Sequence, residues 1–150
     1  MHRCVSDPLI AERVATALLP VALAEACGKN GRPEEGLDLV AKGLATTEQI
    51  GLRVAEAELH RVKGEFLMIK DPGNAAEAER CLRIAMDVAR RQGARLFELR
   101  STVGLARLLK QQVETDEART MLAEIYGWFT EGFDTADLKD AKALLDRLTA

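Results

Sequence analysis

Three short stretches decide the fold: Gly36-Leu37-Asp38-Leu39-Val40-Ala41-Lys42-Gly43, Ala78-Glu79-Arg80-Cys81-Leu82-Arg83-Ile84-Ala85 and Ala118-Arg119-Thr120-Met121-Leu122-Ala123-Glu124-Ile125. Each starts on a small residue, carries a larger apolar one four positions on, and places a third apolar or small residue at position seven. The starts are offset by 42 and then 40 residues. A second set accompanies them upstream. Leu23-Ala24 with Cys27 aligns with Lys63-Gly64 with Leu67, then with Leu105-Ala106 and Leu109, at offsets of 40 and 42. The extra residues of the Asp71-to-Asn74 turn explain the exchange of offsets. Steps of three and four are helical steps, so one pair of helices occurs three times. A helix approaches its partner's backbone closely only where no bulky side chain intervenes. That assigns Ala24, Gly36, Gly64, Ala78, Ala106 and Ala118 to repeat packing.

Outside these stretches the same period continues and strand alternation is nearly absent. Ala, Leu, Glu, Arg and Lys dominate, all good helix formers. The breaks predict helices over 8–29, 33–50, 52–70, 75–92, 94–111, 115–131 and 136–148. Pro33 suits a first turn, with Glu34 and Glu35 behind it at the positive end of the dipole. Asn74 with Glu77 reads as a capping pair, Thr115 as a cap ahead of Asp116 and Glu117, and Asp134 or Thr135 as the start of the last helix. Gly51 and Gly93 sit where helices stop and suit the left-handed conformation, with Gly132 near the next such place. Pro20 should kink the first helix or mark its true start. Gly127 weakens the sixth.

Composition sets the class. The 150 residues, 47% of them apolar and 30% charged, suit one soluble domain rather than a disordered chain. Three cysteines, an odd number, exclude a disulfide-built scaffold, and a net charge of −3 disfavours a nucleic-acid binder. The longest apolar run, Val14 to Cys27, is broken by Thr16, Pro20 and Glu25, so no membrane span is expected. Asp7 and Glu12 precede it where a secretory leader would carry positive charge. The expected location is the cytoplasm.

The repeated pattern resembles the tetratricopeptide repeat. The matches are Ala24-Gly31-Gly36-Val40-Gly43, then Gly64-Gly73-Ala78-Leu82-Ala85, then Ala106-Ala118-Leu122-Ile125. The period of 40–42 departs from the family's 34, each second helix being about six residues longer. The family's aromatic positions hold Pro20, Cys27 and Leu67, and its closing Pro is missing. The chain is also similar to the C-terminal helical-repeat region of bacterial adenylate/guanylate cyclase-like proteins that carry an AAA-type ATPase module. Leu23 to Lys29, Ala57 to Arg61 with Lys63 to Glu65, and Tyr126 to Thr135 carry that likeness. The resemblance implies an all-α, right-handed α-solenoid in a single domain, 1–150, of about three hairpins (17–51, 57–93 and 99–132) plus a capping helix over 134–148. It implies a regulatory interaction region in a bacterial signalling protein, without cyclase or nucleotide-binding segments.

No phosphate loop, GxSxG, HExxH or CxxC motif occurs, and no catalytic residue or cofactor is expected. Glu56 and His60, four apart, make at most half a metal site and read better as a surface hydrogen bond or ion pair, so no metal is expected. His2 and Cys4 near the chain start make a poor chelator. Cys27 and Cys81 fall at core positions as small buried thiols. The resemblance places the partner-binding wall on the first helix of each pair, at Val21, Glu25 and Lys29, then Glu58, Arg61, Glu65 and Met68, then Arg100, Val103, Arg107, Lys110 and Gln111. Arg100, Arg107 and Lys110 share a face and form a basic stripe suited to an acidic protein or peptide segment. Tyr126, Trp128, Phe129 and Phe133 either seal the last pair against the final helix or anchor a partner. The first helix has no evident cover, so Val14, Leu18 and Val21 are candidates for self-association into a homo-oligomer. A non-catalytic interaction or scaffold module is the leading function. A peptide or small-ligand sensor using the concave groove is the alternative.

Overall fold

The computed structural model describes residues 8–150. Seven α-helices follow one another among them: α1 (Pro8–Lys29), α2 (Pro33–Ile50), α3 (Glu56–Lys70), α4 (Ala75–Gln92), α5 (Arg95–Gln111), α6 (Thr115–Tyr126) and α7 (Ala136–Thr149). No strand occurs among the described residues. Each helix packs on its sequence neighbours. The odd-numbered helices also touch the next odd-numbered one, whereas the backbones of α2, α4 and α6 stay apart and α4 reaches α6 through side chains, Arg83 donating to Glu117 at 2.9 Å. One face of the molecule is therefore shared by α1, α3, α5 and α7.

The small residues sit where the helices come closest. Ala24, Ala78, Ala106 and Ala118 are fully buried, as are Gly36 and Gly64. A methyl group at Gly64 would lie 3.0 Å from the Ala78 carbonyl oxygen, and one at Gly36 would lie 3.2 Å from that of Ala24. These are the expected pairs within the first two hairpins. Around them run two larger clusters. One joins Ala17, Val21, Val40, Leu59, Val62 and Phe66 across α1–α3. The other joins Leu82, Leu99, Leu105, Leu109, Leu122 and Leu144 across α4–α7. Leu37 packs against both, so the core is continuous along the stack.

Several boundaries differ from the sequence reading. A 3₁₀ turn, Arg53–Ala55, precedes α3, so that helix starts at Glu56 rather than 52. α6 stops at Tyr126, not 131, because the chain leaves the helix at Gly127. It has 12 residues where α2 and α4 each have 18, so the expected lengthening of the second helices fails in the third pair. α1 runs on through Pro20 instead of starting there. Asn74 does not cap α4; its Nδ2 donates to the Leu67 carbonyl at 3.1 Å. The turn is held instead by the Asp71 carboxylate, which accepts from Gly73 N–H at 2.8 Å. Thr115 is the first residue of α6 and does not cap it. Thr135 does precede α7, but its hydroxyl donates backward to the Gly132 carbonyl.

Gly51 and Gly93 adopt the left-handed conformation, φ 66° and 67°. Gly132, near the next such place, is left-handed too, φ 78°, and after α5 the same conformation is held by Val113, φ 68°. Val21 is buried, and Val14 and Leu18 are half-buried. Val21 and Leu18 belong to the α1–α3 cluster and are not the open surface of the stack. No described helix is long and apolar enough to cross a membrane.

Candidate partner-binding groove

The shared face of the odd-numbered helices carries two adjoining clefts. The first, about 280 Å³, draws Glu25 from α1, Arg61 and Glu65 from α3, Arg100 and Arg107 from α5, and Asp137 and Asp140 from α7. Steps of three, four and seven put the members of each helix on one side. Four helices thus bring charged groups from 116 residues of chain into one cleft, the span from Glu25 to Asp140.

Its centre is buried. Arg61 is 7% exposed and Glu58 only 2%. The Arg61 guanidinium donates to Glu58 through Nε (3.0 Å) and Nη2 (2.9 Å), to Glu65 through Nη1 (3.0 Å), and to Glu25 through Nη2. Arg100 donates twice to Asp137, at 3.1 and 3.0 Å, and once to Glu58 at 3.2 Å. Arg107 pairs with Asp140. Burial works to lower the Arg61 pKa, but the surrounding carboxylates outweigh it and push the value up. The same opposition, with Asp137 and Glu58 prevailing, raises Arg100. For Glu65 burial prevails over the pull of Arg61 and Arg107, and its carboxyl is held above the ordinary range.

Two of the three members of the basic stripe expected along α5, Arg100 and Arg107, are therefore already neutralised, and Lys110 is not. Asp137 and Asp140 in the first turns of α7 take Arg100 and Arg107. Counting Glu58, five carboxylates surround three guanidinium groups, and this cleft is net acidic rather than basic. Glu58 and Arg61 are structural members of the wall, too buried to be presented to a partner. Charge-assisted bonds of this kind have their strength where water is excluded, and leaving one partner unpaired there is costly.

The second cleft, about 300 Å³, adjoins the first through Glu65 and Arg107. Met68, Leu82, Leu108 and Gln111 line it further. Gly64 and Gly104 open it, since neither carries a side chain into the gap. A methyl group at Gly104 would lie 3.0 Å from Leu82 Cδ2 and 3.3 Å from Glu65 Oε1. Four of the expected groove residues, Glu65, Met68, Arg107 and Gln111, come together here. Lys29 and Lys110 are exposed and line neither cleft. Gly104, Asp137 and Asp140 were not anticipated. Asp137 and Asp140 flank Leu138 and Ala141, the inward positions of the last helix, and that spacing was a usable signal.

No protein-family model, curated protein or solved structure matches the chain.

The other candidate groups disperse. His60 is half-buried and its Nδ1 has no hydrogen-bond partner. Glu56 pairs with Arg53 at 3.1 Å, so the expected Glu56–His60 bond is not formed. Burial lowers the His60 pKa, against the opposing influence of Glu56. His2 and Cys4 lie outside the described residues. Cys27 and Cys81 are free and buried, and burial raises the Cys81 thiol pKa. Glu34, Glu35, Asp116 and Glu117 occupy first helical turns, as their positions implied.

The aromatic cluster divides between its two expected roles. Tyr126 and Phe129 pack on the core under α7, whereas Trp128 is 56% and Phe133 46% exposed. Arg95 lies over the Trp128 ring at 5.4 Å. Trp128 borders a third cleft, about 460 Å³, between α4, α5 and α6.

Proposed function

We propose that this chain is a non-catalytic protein-interaction module of tetratricopeptide-like build. Three helix hairpins and a capping α7 stack so that the first helix of each hairpin faces the partner, as a regulatory or scaffolding part of a bacterial signalling protein. The observation that carries this reading is the joining of α1, α3, α5 and α7 in one cleft, with a second opening beside it. A surface assembled from alternate helices offers length and shape to a peptide, whereas its titratable groups are tied to each other and not aimed at an open reacting centre.

The partner segment carries an apolar side chain and a neighbouring carboxylate. The apolar group enters the slot between Gly64 and Gly104, over Met68 and Leu108. The carboxylate meets Arg107, which is half-exposed and held by Asp140, with Lys110 one turn further on as positive charge that makes no ion pair among the described residues. The self-satisfied Arg61 network beneath fixes the position of Glu65, Asp140 holds Arg107, and these pairs contribute rigidity rather than contacts.

A second reading, a small-ligand sensor, is supported by the 460 Å³ cleft at Trp128, which is within the range of small-molecule sites. Both readings are tested by selecting peptides from a random display library on the immobilised chain and measuring their binding by fluorescence anisotropy. Binders should pair an apolar residue with an acid, and Met68→Lys and Arg107→Glu should each weaken them about tenfold or more, while Trp128→Ala leaves them unchanged. Peptides indifferent to both groove substitutions would remove the groove reading. A metabolite whose thermal shift disappears in Trp128→Ala would replace it with the sensor.

A further inference from the structure

α1 is apolar on two faces, and the stack covers only one. Ala17, Val21 and Ala24 are buried against α2 and α3. On the outer side, Glu12, Ala15, Leu19, Ala22, Ala26 and Lys29 recur at alternating steps of three and four, and all six are exposed. Leu19 is 54% exposed and Leu23 beside it 45%. A helix that is apolar all round belongs in an interior. The alternation of three and four is the spacing of a two-helix seam.

We propose that the outer face of α1 pairs antiparallel with the same face of a second copy of this chain. The termini of the seam choose both the occupant and the direction. A dyad between Pro20 and Val21 places Leu19 of each copy against Ala22 of the other, and Ala15 against Ala26. Large then meets small at the centre, and the small residues allow close approach towards the ends. The same operation sets Glu12 against Lys29 at both ends of the seam. Neither side chain has an ion-pair partner among the described residues. Parallel pairing would instead set Glu12 on Glu12 and Lys29 on Lys29, which is unfavourable. The surface is thus complementary to itself in shape and in charge, as a two-fold interface requires. Two helices of 22 residues make a small interface, below about 1,200 Å², so the dissociation constant belongs in the micromolar range. The dimer leaves the groove of each copy open, because α1 contributes to the groove only through Glu25, which lies off the seam.

Analytical ultracentrifugation over about 1–200 µM protein tests this. The mass should rise from one chain to two across that range. Leu19→Glu should hold it at one chain throughout with an unchanged melting curve, since the side chain is exposed. Glu12→Lys and Lys29→Glu should each weaken the dimer about tenfold, and combining them should restore it to within about threefold of the parent. If Leu19→Glu perturbs folding, Ala15→Glu reads the same seam one turn away. A chain that remains single at every concentration overturns the proposal and leaves the face to a different occupant. A dimer indifferent to Leu19→Glu and Ala15→Glu overturns it as well, and a double charge exchange without recovery overturns the antiparallel register.

Discussion

Arg61 and Glu58, three residues apart on α3, form a two-point ion pair with both side chains less than a tenth exposed. The pair is also the centre from which the charged wall is tied together. Glu58 passes the link to Arg100 of α5, Arg100 passes it to Asp137 of α7, and Arg61 reaches back to Glu25 of α1. A single chain of ionic contacts therefore crosses all four odd-numbered helices. It fixes their relative rotation more than it adds to stability, because taking charges out of water offsets most of their attraction.

Removing one member exposes that balance. Arg61→Ala leaves Glu58 buried with only Arg100 as partner and should destabilise the fold by about 3–5 kcal/mol in urea titration. Arg61→Met combined with Glu58→Met removes both charges while keeping volume, and should regain most of the loss. A double variant no better than Arg61→Ala would mean that the pair stabilises the fold outright.

Glu65 gives the wall a pH signature. Its carboxyl is raised above the ordinary value of 4.5 by burial, against the pull of Arg61. The folded chain then binds that proton more tightly than the unfolded one. The stability it contributes is fully present below about pH 4.5 and is lost as pH rises through the folded value. Glu65→Gln removes this dependence. The urea midpoint of the variant should gain on the wild type from pH 4.5 upward, and curves that stay parallel would contradict the assignment.

The hairpin register was readable because close backbone approach leaves a mark in the sequence. Ala24 with Gly36, and Gly64 with Ala78, must be small wherever the helices touch. The ionic wall was not readable in the same way. Glu25 and Arg61 are 36 residues apart, and Arg100 and Asp137 are 37 apart. Nothing local tells a charge which distant helix it will face, so Arg100 and Arg107 looked free when α7 already held them. The end of α6 is not legible because apolar residues continue past Tyr126, yet only Phe129 of them packs on the core, Trp128 and Phe133 stay exposed, and the stretch forms turns rather than more helix.

Phe66 shows a contact that no repeat position announced. Its ring lies in a slot floored by two glycines: a methyl at Gly36 would run into Cε2, and one at Gly28 would sit 2.5 Å from Cζ. Gly36→Ala should therefore destabilise by about 1–3 kcal/mol despite the better helix propensity of Ala. Phe66→Leu alone should also destabilise. The two combined should cost less than their sum, because leucine carries no ring to meet the added methyl. Strict additivity in a double-mutant cycle would place Phe66 elsewhere.

Ala78 tests the stacking directly. It is fully buried, with its carbonyl oxygen 3.0 Å from where Gly64 would carry a side chain. Ala78→Arg forces a charged chain between α3 and α4, and Ala106→Arg does the same within the α4–α7 cluster. Each should abolish cooperative melting followed by circular dichroism. A soluble, cooperatively melting Ala78→Arg protein would show that these helices are not joined through their smallest residues.

Val113 points to the opposite outcome, a gain. The Val113 N–H donates to the Lys110 carbonyl, and the Glu114 N–H to that of Leu109. Gly93 and Ala94 make the same two bonds after α4, to Arg90 and Ala89. The backbone device is the same, but after α5 a β-branched residue holds the left-handed position. That conformation costs a residue with a side chain about 1–2 kcal/mol relative to Gly. Val113 is 84% exposed, so little packing is lost on its removal. Glycine's greater freedom in the unfolded chain returns about 0.5–1 kcal/mol of the difference. Val113→Gly should therefore stabilise by about 0.5–1 kcal/mol, raising the melting temperature by roughly 1–4 °C for a chain of this size. Gly93→Val should lower it by a similar amount. A loss of stability in Val113→Gly would mean that the valine side chain is held by a contact outside the folded chain described here, and repeating the melt at low protein concentration separates that case from strain.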